Sequence, residues 1–94
     1  MSIDVARRFG NNLRRARKRS GLSQEDLGTR ASLHRTAIGL LERGARTPRI
    51  DTLIKLAQAL PAEIEDLLDG ITWEPGEAQP GRFKLRRELP CRHA

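Results

Sequence analysis

One cysteine, three aromatic residues and no long apolar run define what this 94-residue chain is without. The single thiol, Cys91, permits no intrachain disulfide, which fits a reducing compartment and predicts a cytoplasmic protein. The aromatics are Phe9, Trp73 and Phe83, and only 37% of residues are hydrophobic, so the core must be small and largely aliphatic. No stretch approaches the roughly 20 apolar residues that span a membrane. The first residues, MSIDVARRFG, also lack the apolar segment of a signal peptide. Catalytic constellations are missing as well. There is no nucleophile–base pair, carboxylate pair or metal-ligand cluster: Asp66 and Asp69 sit three apart without a histidine, and His93 has no ligand spacing. Neither an enzyme nor a cofactor nor a bound metal is expected. The length admits one compact domain and is too short for two.

Charge is plentiful and unevenly placed. Residues 1–49 carry 12 basic and 4 acidic side chains, residues 50–81 carry only Lys55 against 7 acids, and residues 82–94 carry 5 basic against 1 acidic. A chain built this way presents one positive face, which attracts phosphate from nucleic acid or from lipid headgroups. The lack of any membrane-spanning run favours nucleic acid.

The stretch Ser23–Gly44 organises the rest. Ser23 followed by Asp26 is a capping-box-like helix start, in which the serine hydroxyl accepts from an otherwise unsatisfied N–H. Leu27 and Ala31 then share one face. Ser32, Leu33 and His34 interrupt, and a second amphipathic run follows with Ile38 and Leu41 inward. Gly44 closes it, being the residue type that adopts the left-handed position after a helix at least cost. Two short helices joined by a tight turn make a helix-turn-helix.

Around this unit the chain predicts three more helices. From Ile3 to about Arg19, Val5, Phe9, Leu13 and Ala16 form a core-facing stripe, with Gly10 weakening the pattern. Arg17 lies beside that stripe and needs a partner if buried. Ile50, Leu53, Ile54, Ala57 and Leu60 predict a fourth helix that Pro61 ends. Ile64, Leu67 and Leu68 offer a short fifth, from Glu63 to Asp69, to the same core. Beyond Gly70 the composition changes. Residues 71–73 and 82–85 have strand-like alternation, and Pro75-Gly76 and Pro80-Gly81 are turn signals. This tail is either a small β element or a mobile basic extension. The division expected is a helical domain over 1–70 and a C-terminal extension over 71–94.

The stretch GLSQEDLGTRASLHRTAIGLLERGARTP, followed by IDTLIKLAQAL and EIEDLL, resembles the Xre/Cro-repressor class of helix-turn-helix regulators. That class includes phage repressors, restriction–modification controller proteins and some antitoxins, and Leu33-His34-Arg35-Thr36 is most similar to the controllers. The resemblance implies an all-α fold of five helices, binding as a homodimer to a palindromic operator in double-stranded DNA. It implies that residues 35–43 form the recognition helix, with Arg35, Thr36, Gly39 and Leu40 at the base-facing places. Gln24, His34, Arg43, Arg46 and Arg49 would then meet phosphates, and Arg17 and Glu42 would form a structural ion pair. Gly28 departs from the alanine usual there, which predicts a helix looser by up to about 1 kcal/mol. The tail lies outside the resemblance. Its Ile71, Trp73 and Phe83 are expected to make a dimer contact or to bind a protein partner, as in an antitoxin or adaptor.

Arg35 has the chemistry to give two hydrogen bonds to guanine, the commonest specific major-groove contact. Thr36 and Leu40 either touch thymine methyls or stay exposed. His34 is expected as a helix cap or phosphate neighbour rather than a metal ligand. Gln24 opens a helix whose N-terminal dipole already favours an anion.

Overall fold

The computed structural model describes residues 3–76 and 81–86, which form α1 (Ile3–Arg19), α2 (Gln24–Ala31), α3 (Arg35–Glu42), α4 (Ile50–Ala59), α5 (Ile64–Leu67), β1 (Ile71–Glu74) and β2 (Arg82–Leu85). Five helices are thus followed by a short antiparallel sheet. Cys91 and His93 lie outside the described residues.

Helix boundaries follow their local chemistry. Ser23 Oγ accepts from the Asp26 amide at 2.9 Å while Asp26 Oδ2 accepts from the Ser23 amide at 3.0 Å, so two orphan donors of α2 are satisfied reciprocally. The turn after α2 places Ser32 in the left-handed region, at φ 56° and ψ 42°. His34 caps α3, its Nδ1 accepting from the Thr36 amide at 3.1 Å. Gly44 follows α3 with φ 75°, the conformation its missing Cβ permits.

The core gathers Phe9 and Leu13 of α1, Leu27 and Ala31 of α2, Ile38 and Leu41 of α3, Leu56, Ala57 and Leu60 around α4, and Leu67 of α5. Gly10 is buried at a crossing: a Cβ there would stand 2.6 Å from the Glu42 carbonyl oxygen and closer still to that of Leu41. The glycine that weakened the helical pattern is what lets α1 approach the end of α3. Gly28 has a similar role, since a Cβ on it would meet the Leu33 carbonyl oxygen at 2.5 Å, inside the turn.

Two expectations about the core need correction. Ile50 and Ile54 of α4 do not face inward but are 78% and 47% exposed, whereas Leu56, absent from the expected stripe, is fully buried. Residues 53, 56, 57 and 60 obey three-four spacing as well as 50, 53, 54, 57 and 60 do; packing against α2 and α5 selects the former. On α5, Leu67 alone is buried, while Ile64 and Leu68 are more than a third exposed. That helix is a single turn, shorter than Glu63–Asp69, and one turn turns only one such side chain fully inward.

β1 and β2 pair Ile71 with Leu85, Thr72 with Lys84, Trp73 with Phe83 and Glu74 with Arg82. Of the two readings open for residues 71–76 and 81–86, the β element is the one observed. Ile71 packs on the core. The hairpin is held at its base, where the Arg86 amide donates to the Gly70 carbonyl at 2.7 Å and Arg8 Nη2 donates to the Arg86 carbonyl. Asn12 Nδ2 donates to the Leu67 and Asp69 carbonyls, both at 3.0 Å, fixing the end of α5 to α1. Among the described residues no helix is long and apolar enough to cross a membrane, and no group of three or more His, Cys, Asp or Glu side chains is disposed to hold a metal ion.

Candidate nucleic-acid interface

A helix cap fixes where the first turn begins and so which of its side chains face out. Here the His34 cap fixes the entry of α3, and Arg35 and Thr36 occupy its first turn. The Arg35 side chain is 66% exposed. Thr36 is exposed too, with its hydroxyl 3.0 Å from His34 Nδ1. Gly39 is buried under two polar side chains: a Cβ there would lie 3.2 Å from Arg43 Nη1 and 3.6 Å from Gln24 Oε1. Leu40 is half-buried. The four residues expected at base-facing places thus differ sharply in reach. Arg35 and Thr36 project; Gly39 supplies a low floor and Leu40 an apolar flank.

Below them runs a buried polar junction. Arg17 Nε and Nη2 donate to Glu42 Oε2 and Oε1 at 2.6 and 3.0 Å, a two-pronged arrangement suited to guanidinium and carboxylate. Arg17 Nη1 donates to the Leu22 carbonyl at 2.8 Å, and Gln24 Nε2 to Glu42 Oε1 at 3.2 Å. The hydrogen bond to Glu42 raises the Arg17 pKa above its ordinary value; burial opposes this and the carboxylate's charge adds to it. Glu42 therefore joins α1, α2 and α3. Gln24 spends one amide N–H on that carboxylate from a half-buried position at the start of α2.

The remaining predicted phosphate contacts come from α3's end and the loop after it. Arg43 is the exposed C-cap of α3, and Arg46 and Arg49 are exposed on the loop to α4. Arg49 pairs loosely with Asp51, Nε to Oδ1 being 3.6 Å with both side chains well solvated; such a pair contributes little to stability. As the N-cap of α4, Arg49 gives no side-chain hydrogen bond to the helix. Ile71 lies against the core, and Trp73 and Phe83 stand on the hairpin, 56% and 44% exposed, ring centroids 5.1 Å apart in an edge-to-face pair.

One neighbour of Arg35 was not legible in the sequence. Glu25, in the first turn of α2, places Oε2 3.4 Å from Arg35 Nη1. The two residues are ten positions apart on different helices, so no periodicity connects them; only the sharpness of the turn brings them together.

Comparison with known proteins agrees with the helical fold. The family model HTH_3, described as Helix-turn-helix, matches residues 13–67. The control protein C.BamHI of Bacillus amyloliquefaciens is 38% identical over 73 residues, covering 77% of this chain and 90% of that protein. The control protein C.SmaI of Serratia marcescens is 41% identical over 66 residues, 70% of this chain and 79% of that one. Among solved structures, the restriction–modification controller protein C.AhdI of Aeromonas hydrophila superposes with a TM-score of 0.64 at 40% identity, covering 66% of this chain and 94% of its own. The P22 c2 repressor in complex with a synthetic operator superposes with a TM-score of 0.62 at 31% identity, with the same coverage. With a matching model over more than half its length and relatives of this closeness, the chain belongs to the helix-turn-helix family of DNA-binding transcriptional regulators.

Proposed function

We propose that this protein is a sequence-specific transcriptional regulator, not an enzyme, that binds a palindromic operator as a homodimer in the cytoplasm. Helix α3 enters the major groove; Arg35 and Thr36 meet base edges, while Gly39 and Leu40 line the approach. Gln24, His34, Arg43, Arg46 and Arg49 meet the sugar-phosphate backbone. The observation that carries the reading is the capped start of α3, where Arg35 and Thr36 project beside a loop bearing exposed arginines. That combines a short projecting base reader with cations for phosphate. The similarity to a repressor solved on operator DNA supports the placement.

The homodimer has its own support. Among the described residues, the exposed large hydrophobics, Ile50, Ile54, Ile64, Leu68, Trp73 and Phe83, follow the arginine loop in sequence. Large apolar side chains left exposed on a small domain are the material of an interaction face. The hairpin pair Trp73–Phe83 also favours a second reading, in which the extension over 71–94 binds a different protein, as an antitoxin or adaptor would.

The test is affinity for matched and scrambled sites across several salt concentrations. Arg35→Ala is expected to cost about 1–3 kcal/mol on the best site and to relax preference at one position per half-site. Arg46→Ala and Arg49→Ala are expected to weaken both DNAs alike, each lowering the salt slope by about one. If Arg35→Ala weakens both DNAs equally with base preference intact, α3 does not read bases in this way.

A further inference from the structure

We infer that Glu25 is the positioning residue for Arg35: its carboxylate holds one edge of the guanidinium so that the other edge meets a base rather than a phosphate. This rests on the proposed role of α3 in the major groove. The observations are local. Glu25 Oε2 lies 3.4 Å from Arg35 Nη1, and the two residues line one open cleft of about 360 Å³ with Thr29, Leu33 and His34. Both side chains are well solvated, at 66% for Arg35 and 72% for Glu25, so the contact contributes little to folding.

Its value lies in orientation. A guanidinium carries five N–H donors in a planar fork, so one Nη1 hydrogen given to Glu25 leaves Nη2 and Nε for two parallel bonds to guanine. Without a fixed partner, the long arginine side chain samples many rotamers and swings readily to the nearest phosphate, a contact without sequence information. The carboxylate also acts directly on the duplex. A negative charge beside the groove repels phosphate, lowering sequence-independent affinity while a correctly placed guanine lets Arg35 use its remaining donors. Discrimination by this device comes from penalising wrong contacts as well as stabilising the right one.

The readout is base preference at the position that Arg35 governs, measured by binding to a matched site and to its single-base variants, with Glu25→Ala, Arg35→Ala and the double variant. Unchanged circular dichroism and melting serve as the control for fold. Glu25→Ala is expected to cut discrimination at that position about tenfold and to raise affinity for random DNA. Glu25→Gln, which keeps an acceptor oxygen at the same reach, should raise random binding too but retain more of the preference. In the Arg35→Ala background, removing Glu25 should change discrimination no further. The inference is overturned if Arg35→Ala relaxes the preference while Glu25→Ala leaves it intact, or if the Glu25 effect on that preference persists without Arg35. It is equally overturned if Glu25→Ala alters preference at a different base pair, because Glu25 would then read a base itself. Should Arg35→Ala leave preference intact, the placement of α3 fails and this inference falls with it.

Discussion

Glu42 accepts from Arg17 through both carboxylate oxygens, and each residue is at most 9% exposed. Removing either member leaves the other charge buried without its counter-ion, at a cost of about 3–5 kcal/mol. Arg17→Met and Glu42→Leu should each lower the denaturation midpoint, and the double variant should recover part of the loss. Strictly additive losses in that cycle would show that the pair is not coupled. Gln24 also donates to Glu42, so Glu42→Leu should additionally loosen the start of α2.

Gly10 gives a second prediction. Alanine is the better helix former by about 1 kcal/mol, yet its methyl would press on the Leu41 and Glu42 carbonyls, which are backbone and cannot swing aside. Overpacking of this kind costs about 1–3 kcal/mol. Gly10→Ala should therefore destabilise the protein in thermal melts, and a raised melting temperature would mean that α1 can move away from α3 without loss.

Ser32 points the other way. Its left-handed conformation, φ 56°, costs a residue with a Cβ about 1–2 kcal/mol, part of which glycine gives back through its freer unfolded chain. Ser32→Gly should stabilise the fold by about 0.5–1 kcal/mol. The side chain is exposed, so no packing is lost. Chemical denaturation with an unchanged m-value is the measurement.

Acid should weaken α2 at a known place. Hydrogen bonds from the Ser23 amide and hydroxyl hold the Asp26 carboxyl below the usual carboxylate range. Because the folded pKa is the lower one, the stabilisation is fully present above the unfolded value, about 3.9. It is lost as pH falls through the folded value. The gap in melting temperature between the parent and Asp26→Asn should therefore close as pH drops below about 4. A gap that stays constant into that range would mean that the carboxylate's charge is not what the cap uses.

For the proposed homodimer, Trp73→Thr with Phe83→Thr keeps strand-forming residues while removing the aromatic pair. Sedimentation should show weaker self-association and unchanged helix content. Self-association that is untouched would move the contact to α4 and α5, or turn the hairpin toward another protein.

Much of this fold was legible in the chain because its signals are local. Ser23 with Asp26, the apolar spacings of the first three helices and Gly44 each act within a few residues. The failures share a different cause. Leu53, Ala57 and Leu60 belong to two overlapping stripes on α4, and only the neighbouring helices decide that Leu56 completes the inner one and Ile54 does not. Gly10 and Gly28 look like flaws until the backbone each one admits is in view. Glu25 and Arg35 become neighbours only after the turn has formed. Burial, close approach and cross-helix pairing are properties of the assembled chain, and a single sequence states them weakly.

The clamp at the base of the hairpin bears on the order of assembly. Arg8 reaches Arg86 across a separation of 78 residues and Asn12 reaches Leu67 and Asp69 across 55 and 57, whereas α2 and α3 meet through a turn of three. Loop-closure entropy makes the distant contacts the slow ones and the turn the fast one. The helix-turn-helix should thus acquire protection from hydrogen exchange before the hairpin amides do, and on unfolding β2 should open first. The same clamp ties the hairpin and the end of α5 back to α1, so the last strand to arrive closes the structure on the helix that leads the chain.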